Sequence, residues 1–188
     1  MTYFTADNHF GHKSIINLCN RPFSSIEEMD ELMIDGWNKR VKDNDDIYIV
    51  GDLMFRSGKR PEEYLDKLHG KKHLVSGNHD IYWFSNLTNP DKYFVSVNQI
   101  EYLVLEDGKR IILCHYPMLE WNHYHKGAYH IFGHIHNRCN QPWFKYVAEN
   151  DRMLNAGVDI NGFVPVTMTE LIANNTAFKE YWQNNKPV

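Results

Sequence analysis

Ile47-Tyr48-Ile49-Val50-Gly51-Asp52 is a run of four apolar residues that stops at a glycine and a carboxylate. With Asp46 in front it reads as a short strand, Asp46 to Val50, whose end carries a metal-ligand residue. The same arrangement recurs on both sides of it. Tyr3-Phe4-Thr5-Ala6 precedes Asp7-Asn8-His9, and Leu74-Val75-Ser76 precedes Gly77-Asn78-His79-Asp80. Ile111-Ile112-Leu113-Cys114 precedes His115, and His130-Ile131-Phe132 precedes Gly133-His134-Ile135-His136. Sites in open α/β sheets form at the carboxyl ends of strands, so five such ends would collect these side chains in one place.

The segments between these runs carry helical signals. Ile26, Met29, Met33, Trp37 and Val41 recur at helical spacing behind a capping box of Ser24 and Glu27. Pro61 suits the first turn of a helix running to about Leu68, with Gly70 as its C-terminal cap, and His73 to Ser76 reads as a strand. Thr2 to Ala6 is the first strand, and helices between the early strands imply parallel pairing. From Tyr93 the pattern changes. Tyr102 to Glu106 and Lys109 to Leu113 flank Asp107-Gly108, a two-residue hairpin signal that implies antiparallel pairing. Arg152 to Val158 reads as a late strand, and Thr167 with Glu170 can cap a short final helix. The residues alone give a mixed α/β layered fold. With no linker, repeat or low-complexity tract, residues 1–188 are expected to form a single domain.

Composition narrows the function classes. A chain of 188 residues with 43% hydrophobic and 23% charged content fits one ordinary globular domain. Its net charge of −4 argues against broad wrapping of duplex nucleic acid, but not against a small anion held by a local metal charge. Cys19, Cys114 and Cys139 form no C-x-x-C pair, so neither a disulfide framework nor a structural zinc site is expected. No run approaches ~18 apolar residues and the start does not read as a signal peptide, so no membrane association and a cytoplasmic location are expected.

The chemistry rests on residue types and spacing. Asp-x-His and His-x-His set ligands two apart, on the same side of an extended segment. Two carboxylates and four imidazoles suit borderline divalent ions; manganese is the expected ion, with iron, zinc or nickel as alternatives. Two anionic ligands against two divalent cations leave a net positive site, which favours a phosphate anion. The pattern D-x-H, G-D, G-N-H-D, H and G-H-x-H, in that order from Asp7 to His136, resembles the calcineurin-like metallophosphoesterases. The segment from Asp7 to His12 is most similar to the small bacterial and phage members, and Leu154 to Val158 looks like the family's closing strand and turn. That resemblance implies a four-layer α/β/β/α sandwich of two mixed sheets flanked by helices. It implies one metal held by Asp7, His9, Asp52 and His136, a second held by Asp52, Asn78, His115 and His134, and Asp52 as the bridge. It further implies in-line attack on phosphorus by a metal-bridging hydroxide. His79 would give a proton to the leaving oxygen, and Asp80 would orient His79 or its loop.

Other residues invite plainer readings. His69, His73, His123, His125 and His130 are taken as surface or satisfied core residues. His12 could reach the substrate phosphate or cap a helix starting near Lys13. Arg56, Lys59 and Arg60 read as a solvated face, with Arg56 the best guess for a phosphate contact. Trp121 and Tyr124 could stack a base, but more often such residues pack a loop down. The expected function is phosphodiester or phosphomonoester hydrolysis on a small nucleotide-like substrate. A nuclease on single-stranded or end-containing nucleic acid is the alternative, weakened by the acidic balance. A non-catalytic scaffold is weakened because no ligand position is lost. Neither the physiological substrate nor the oligomeric state is readable from the sequence.

Overall fold

The computed structural model describes residues 1–185. The five quoted runs become β1 (Thr2–Thr5), β2 (Asp46–Ile49), β3 (Lys71–Val75), β6 (Arg110–Cys114) and β7 (Tyr129–Phe132). With β4 (Phe94–Asn98), β5 (Ile100–Val104), β8 (Met153–Asn155) and β9 (Val166–Thr167) they build two sheets. The first has the order β4-β3-β2-β1-β9 and the second β5-β6-β7-β8. Each is parallel except at one edge, where β9 and β5 run antiparallel.

The apolar runs are continuous because both faces of these strands are buried. Successive side chains point to opposite faces. Thus Phe4, Tyr48 and Val50 meet Ile111, Leu113, Ile131 and Leu154 in a core between the two sheets. Ile47, Ile49 and Leu74 face outward onto Met29, Met33 and Trp37 of α2 (Ile26–Arg40). On the far side Ile112, Phe132 and Met153 pack on Phe144 and Val147 of α5 (Phe144–Ala148). The result is the sandwich of two mixed sheets between helices. Among the described residues no helix is long and apolar enough to cross a membrane.

Several local expectations shift. The cap of α2 is Ser25, whose extended backbone turns into the helix and whose hydroxyl accepts from the Glu28 amide at 3.1 Å; Glu28 in turn accepts from the Ser24 amide. The helix after Pro61 is one turn, α3 (Glu62–Leu65), and ends before Leu68. Gly70 is nonetheless left-handed, with φ +93°, and lies against Val41 and Ile47. The β5–β6 loop holds three residues rather than two: the Gly108 amide donates to Leu105 O, the Leu105 amide to Lys109 O, and Gly108 takes φ +82°. That is the three-residue hairpin with glycine at the left-handed position. The final helix, α6 (Met168–Asn184), is long, not short, although Thr167 and Glu170 do form its capping box. It runs from the inter-sheet core at Met168 and Leu171 to Phe178 and Trp182 beside α5.

His130 on β7 is a satisfied core residue. Its Nδ1 faces the Ile112 carbonyl at 3.1 Å, and its Nε2 lies 3.1 Å from both the Met118 amide and the Tyr116 carbonyl. Burial pushes its pKa down to about 4, against the pull of the Ile112 and Tyr116 carbonyls. A histidine depressed in the folded state contributes stability above its unfolded pKa, and that contribution drains away as pH falls toward the folded value. Stability should therefore drop between pH 6.5 and about 4, by on the order of 3 kcal/mol at full protonation. Urea midpoints of the parent and of His130→Leu across this window test it. An equally steep fall in the variant would show that His130 is not responsible.

Candidate metal centre

All seven proposed ligands sit at or just beyond the carboxyl ends of parallel strands. Asp7 and His9 follow β1, Asp52 follows β2, Asn78 follows β3, His115 follows β6, and His134 and His136 follow β7. The two sheets are tied together there. Ala6 N donates to Ala156 O at 2.9 Å and Val158 N to Ala6 O at 3.0 Å; within the second sheet Ala156 N donates to Phe132 O at 2.7 Å and Gly133 N to His115 O at 3.0 Å. Within the first sheet the turns interlock, with Asp7 N on Gly51 O and His9 N on Asp52 O, both at 3.0 Å.

The backbone at these positions is unusual. Ten non-glycine residues among those described have positive φ, and five of them are Asp7, His9, Asp52, His134 and His136. Left-handed backbone costs an ordinary residue ~1–2 kcal/mol, so the concentration marks a site held against local preference. The glycines beside the ligands give room. A Cβ on Gly51 would collide with the His115 ring, and one on Gly77 with the Asp52 carboxylate.

Asp52 is the geometric centre. Its Oδ2 lies 3.5 Å from His115 Nε2, 3.6 Å from His9 Nε2 and 3.9 Å from His79 Nε2. On one side Asp7, His9 and His136 bring ligand atoms within 4.8 Å of one another; Asp7, Asp52 and His115 do the same. On the other side the Asn78 side-chain oxygen meets His115 Nε2 at 3.2 Å and His134 Nδ1 at 3.1 Å. The structure therefore brings all seven together: Asp7 is common to the two groups of three, and Asp52 Oδ2 lies within 3.6 Å of both His9 and His115.

These residues fit a cation. Six buried side-chain nitrogen or oxygen atoms among the described residues lack a hydrogen-bond partner, and five belong to Asp7, His9, His12 and His79. Buried polar atoms are normally satisfied, so a cluster of orphans calls for a ligand. Electrostatics agree. Burial disfavours a charged ring at His115 and His136, but hydrogen bonds and nearby carboxylates outweigh it. Asp52 holds His115 up at about 9, and Asp159 holds His136 up at about 10. Burial pushes His9 down to about 2 and His134 down to about 4. Burial would raise the Asp52 carboxyl, yet the His115 hydrogen bond and ring charge hold it at about 2.

Behind the ligands lies a set of residues that sequence reading missed. Asp159 Oδ2 takes His136 Nδ1 at 2.8 Å and pairs with Arg21 Nε through Oδ1, also at 2.8 Å. Arg21 reaches on to the carbonyls of Asn8 at 2.9 Å and Asp7 at 2.7 Å. A carboxylate behind a ligating histidine fixes its ring and tautomer. Asn155 donates to the His136 carbonyl and accepts from the Gly157 amide, both at 2.8 Å. Arg21 and Asp159 lie 138 residues apart, one in a loop and one in a single turn, and no local pattern announces them.

Asp80 makes no hydrogen bond to the His79 ring. Its carboxylate takes the Asp52 amide at 2.8 Å, the Leu53 amide at 3.0 Å, the Gly77 amide at 2.7 Å and Trp83 Nε1 at 2.8 Å. Of the two expectations for Asp80, its geometry is that of a loop anchor. Burial raises its pKa, but four converging N–H groups favour the carboxylate. His79 donates its amide to Asp52 Oδ1 at 2.9 Å and lays its ring on Phe55, centroids 3.9 Å apart. His12 does not cap a helix: α1 (Ile15–Leu18) starts later behind Ser14, and the His12 ring turns toward Phe55 and His9. Arg56 is exposed at the rim of a cleft of about 990 Å³ beside His79. Trp121 is buried with its indole on Ala128 O, so it packs the loop.

Comparison with known proteins places the chain among relatives. No family model matches it. It is 31% identical over 173 residues to the uncharacterized protein MJ1445 of Methanocaldococcus jannaschii, covering 90% of this chain and 88% of that one. It is 34% identical over 82 residues to the gene 66 protein of Mycobacterium phage L5, covering 42% of this chain and 39% of that one. The crystal structure of the Aquifex aeolicus protein AQ665, of unknown function, superimposes with a TM-score of 0.67 at 26% identity, over 90% of this chain and 96% of that one.

Two outcomes follow from this geometry. Ligands must be neutral imidazoles to bind a cation, and, against the effect of burial, neighbouring carboxylates push His115 up to about 9 and His136 up to about 10. Manganese loading at pH 7 should therefore release about two protons per chain. Calorimetry in buffers of different ionisation enthalpy measures this, and binding without proton release would contradict it. Asp80→Asn leaves two of the four N–H donors without an acceptor. It should destabilise the chelated protein by about 3 kcal/mol and weaken metal binding through the Asp52 turn. A loss in urea melts below ~1 kcal/mol would remove Asp80 from its anchoring role.

Proposed function

We propose that this chain, which belongs to one family with the archaeal MJ1445 protein and, by motifs and fold, to the calcineurin-like metallophosphoesterases, hydrolyses phosphoester bonds of small nucleotide-like compounds. The observation that carries this reading is the placement of Asp52 Oδ2 within 3.5–3.9 Å of three imidazole nitrogens, beside orphaned atoms of Asp7 and His9. Asp7, His9, Asp52 and His136 would hold one divalent ion; Asp52, Asn78, His115 and His134 would hold the other. Such a pair, when bound, supplies an activated water and Lewis-acid stabilisation of phosphoryl oxygens. Manganese is the proposed ion.

The chain's own residues supply position and a proton. Asp159 and the Val50 carbonyl fix the His136 and His115 rings from behind, at 2.8 and 2.9 Å. Asp80 fixes the Asp52 turn against the Gly77 turn. His79 is pinned by its amide to Asp52 and by its ring to Phe55, yet its side chain is 29% exposed. It stands where the centre opens into the cleft, so it can hand a proton to an oxygen departing that way. A carboxylate could not be the donor there without competing for the cations.

The test pairs metal content with leaving-group dependence. Purified protein in excess chelator should be inactive and manganese should restore turnover across a panel of monoesters, diesters, cyclic nucleotides and single-stranded oligonucleotides. General acid help is worth ~10²–10⁴-fold when an alkoxide leaves, and little when a nitrophenolate leaves. His79→Asn should cripple alkyl and ribose esters, largely spare bis-nitrophenyl phosphate, and keep its metal content. Equal losses on both substrate types, or loss of an ion, would give His79 another role.

A further inference from the structure

The cleft beside His79 has an electrostatic character opposite to that of the chain. Its rim carries Arg56, Lys59 and Arg60, and no Asp or Glu lines it, in a protein of net charge −4. None of the three cations forms an ion pair within 4.0 Å among the described residues. Glu63 takes the Arg60 amide at 2.9 Å, and carboxylates reach these side chains only from beyond ion-pair distance, Glu62 and Asp66 toward Arg60 and Asp30 toward Lys59. Two arginines and a lysine along one wall, with no carboxylate lining the cleft, offer charge-assisted contacts to an anion from outside.

The cleft also has an aromatic side, whose two rings stand at 60° to each other. Phe55 and Tyr82 lie with ring centroids 6.2 Å apart, and Tyr82 is 65% exposed. The Arg56 guanidinium sits 5.0 Å over the Phe55 ring, which stretches it along the aromatic floor. The loop bearing these residues is built, not loose. Ser57 Oγ bonds Tyr64 OH at 3.1 Å, Tyr64 OH donates to Asp30 at 2.7 Å, and Asp30 takes the Gly11 amide at 3.1 Å. Gly11 lies one turn beyond His9, so the basic wall is held in register with the centre itself. Arg56 keeps a left-handed backbone, φ +49°, within that frame.

We infer that this cleft receives the leaving side of the substrate as a nucleotide: a base against the exposed Tyr82 ring, and a second phosphate, beyond the scissile one, against Arg56 and Arg60. The inference rests on the phosphoesterase reading and deepens it. It makes the preferred substrate one with at least two phosphates and an aromatic base between them, and it orients that substrate, because His79 forms the boundary between the centre and the cleft. A small nucleotide and the end of a strand share this chemistry.

Binding without turnover tests it apart from the parent reading. Thymidine, thymidine 5′-monophosphate and thymidine 3′,5′-bisphosphate are titrated calorimetrically into the full chain in excess chelator. The bisphosphate should bind on the order of tenfold tighter than the monophosphate, the scale of one charge-assisted contact. In Arg56→Ala/Arg60→Ala that ratio should fall toward one, while Arg56→Lys/Arg60→Lys keeps part of it, with the melting temperature of each variant matched to the parent. Tyr82→Ala should weaken all three ligands by a similar factor. Oligothymidylates then separate the two sources: affinity that levels off at two phosphates assigns a small nucleotide, and affinity that keeps rising to six assigns a strand. Equal binding of all three ligands, or a ratio unchanged in the alanine variant, overturns the inference. Failure of every phosphoester to turn over with manganese would instead sink the phosphoesterase reading and leave this binding result standing.

Discussion

The Asp80 carboxylate receives N–H groups from Asp52, Leu53, Gly77 and Trp83, and in doing so it locks the turn after β2 to the turn after β3. Those turns carry Asp52, Asn78 and His79. Each turn alone would be a loop with spare amides, free to drift by more than a metal–ligand bond tolerates. Arg21 and Asp159 do the same work on the other flank, joining the turn after β1 to the His136 ring. The centre is thus suspended between a buried carboxylate on one flank and a buried ion pair on the other. Removing a partner from such a pair leaves an uncompensated charge, which costs far more than the pair contributes.

The centre also spans both sheets. Asp7, His9, Asp52 and Asn78 come from the first, and His115, His134 and His136 from the second. Neither sheet carries all seven residues, so the cluster is complete only once the inter-sheet core around Phe4, Val50, Leu113 and Ile131 has formed. Chemistry and folding are coupled through that core.

The ligand turns were legible because strand, break and ligand occupy adjacent residues, as in Val50-Gly51-Asp52. Period and punctuation are local properties. What escaped depends on distance or on competition between near-equal local choices. Ser24 and Ser25 both precede an acidic residue at the capping spacing, and only the extended backbone of Ser25 decides between them. The strand β4 escaped because Val95 and Val97 stay exposed at the sheet edge, so no buried face marks it. Arg21 and Asp159 escaped because their meaning lies in each other. Arg56, Lys59 and Arg60 looked like an ordinary charged surface, and only the cleft beside His79 gives them a shared face.

The left-handed backbone at Asp7, His9, Asp52, His134 and His136 sets thermostability and chemistry against each other at the same residues. Glycine at any of these positions would relieve strain and gain back some of what the fold gives up there, at the cost of a ligand. A laboratory selection for heat resistance alone would therefore drift toward erasing this cluster before it touched the core.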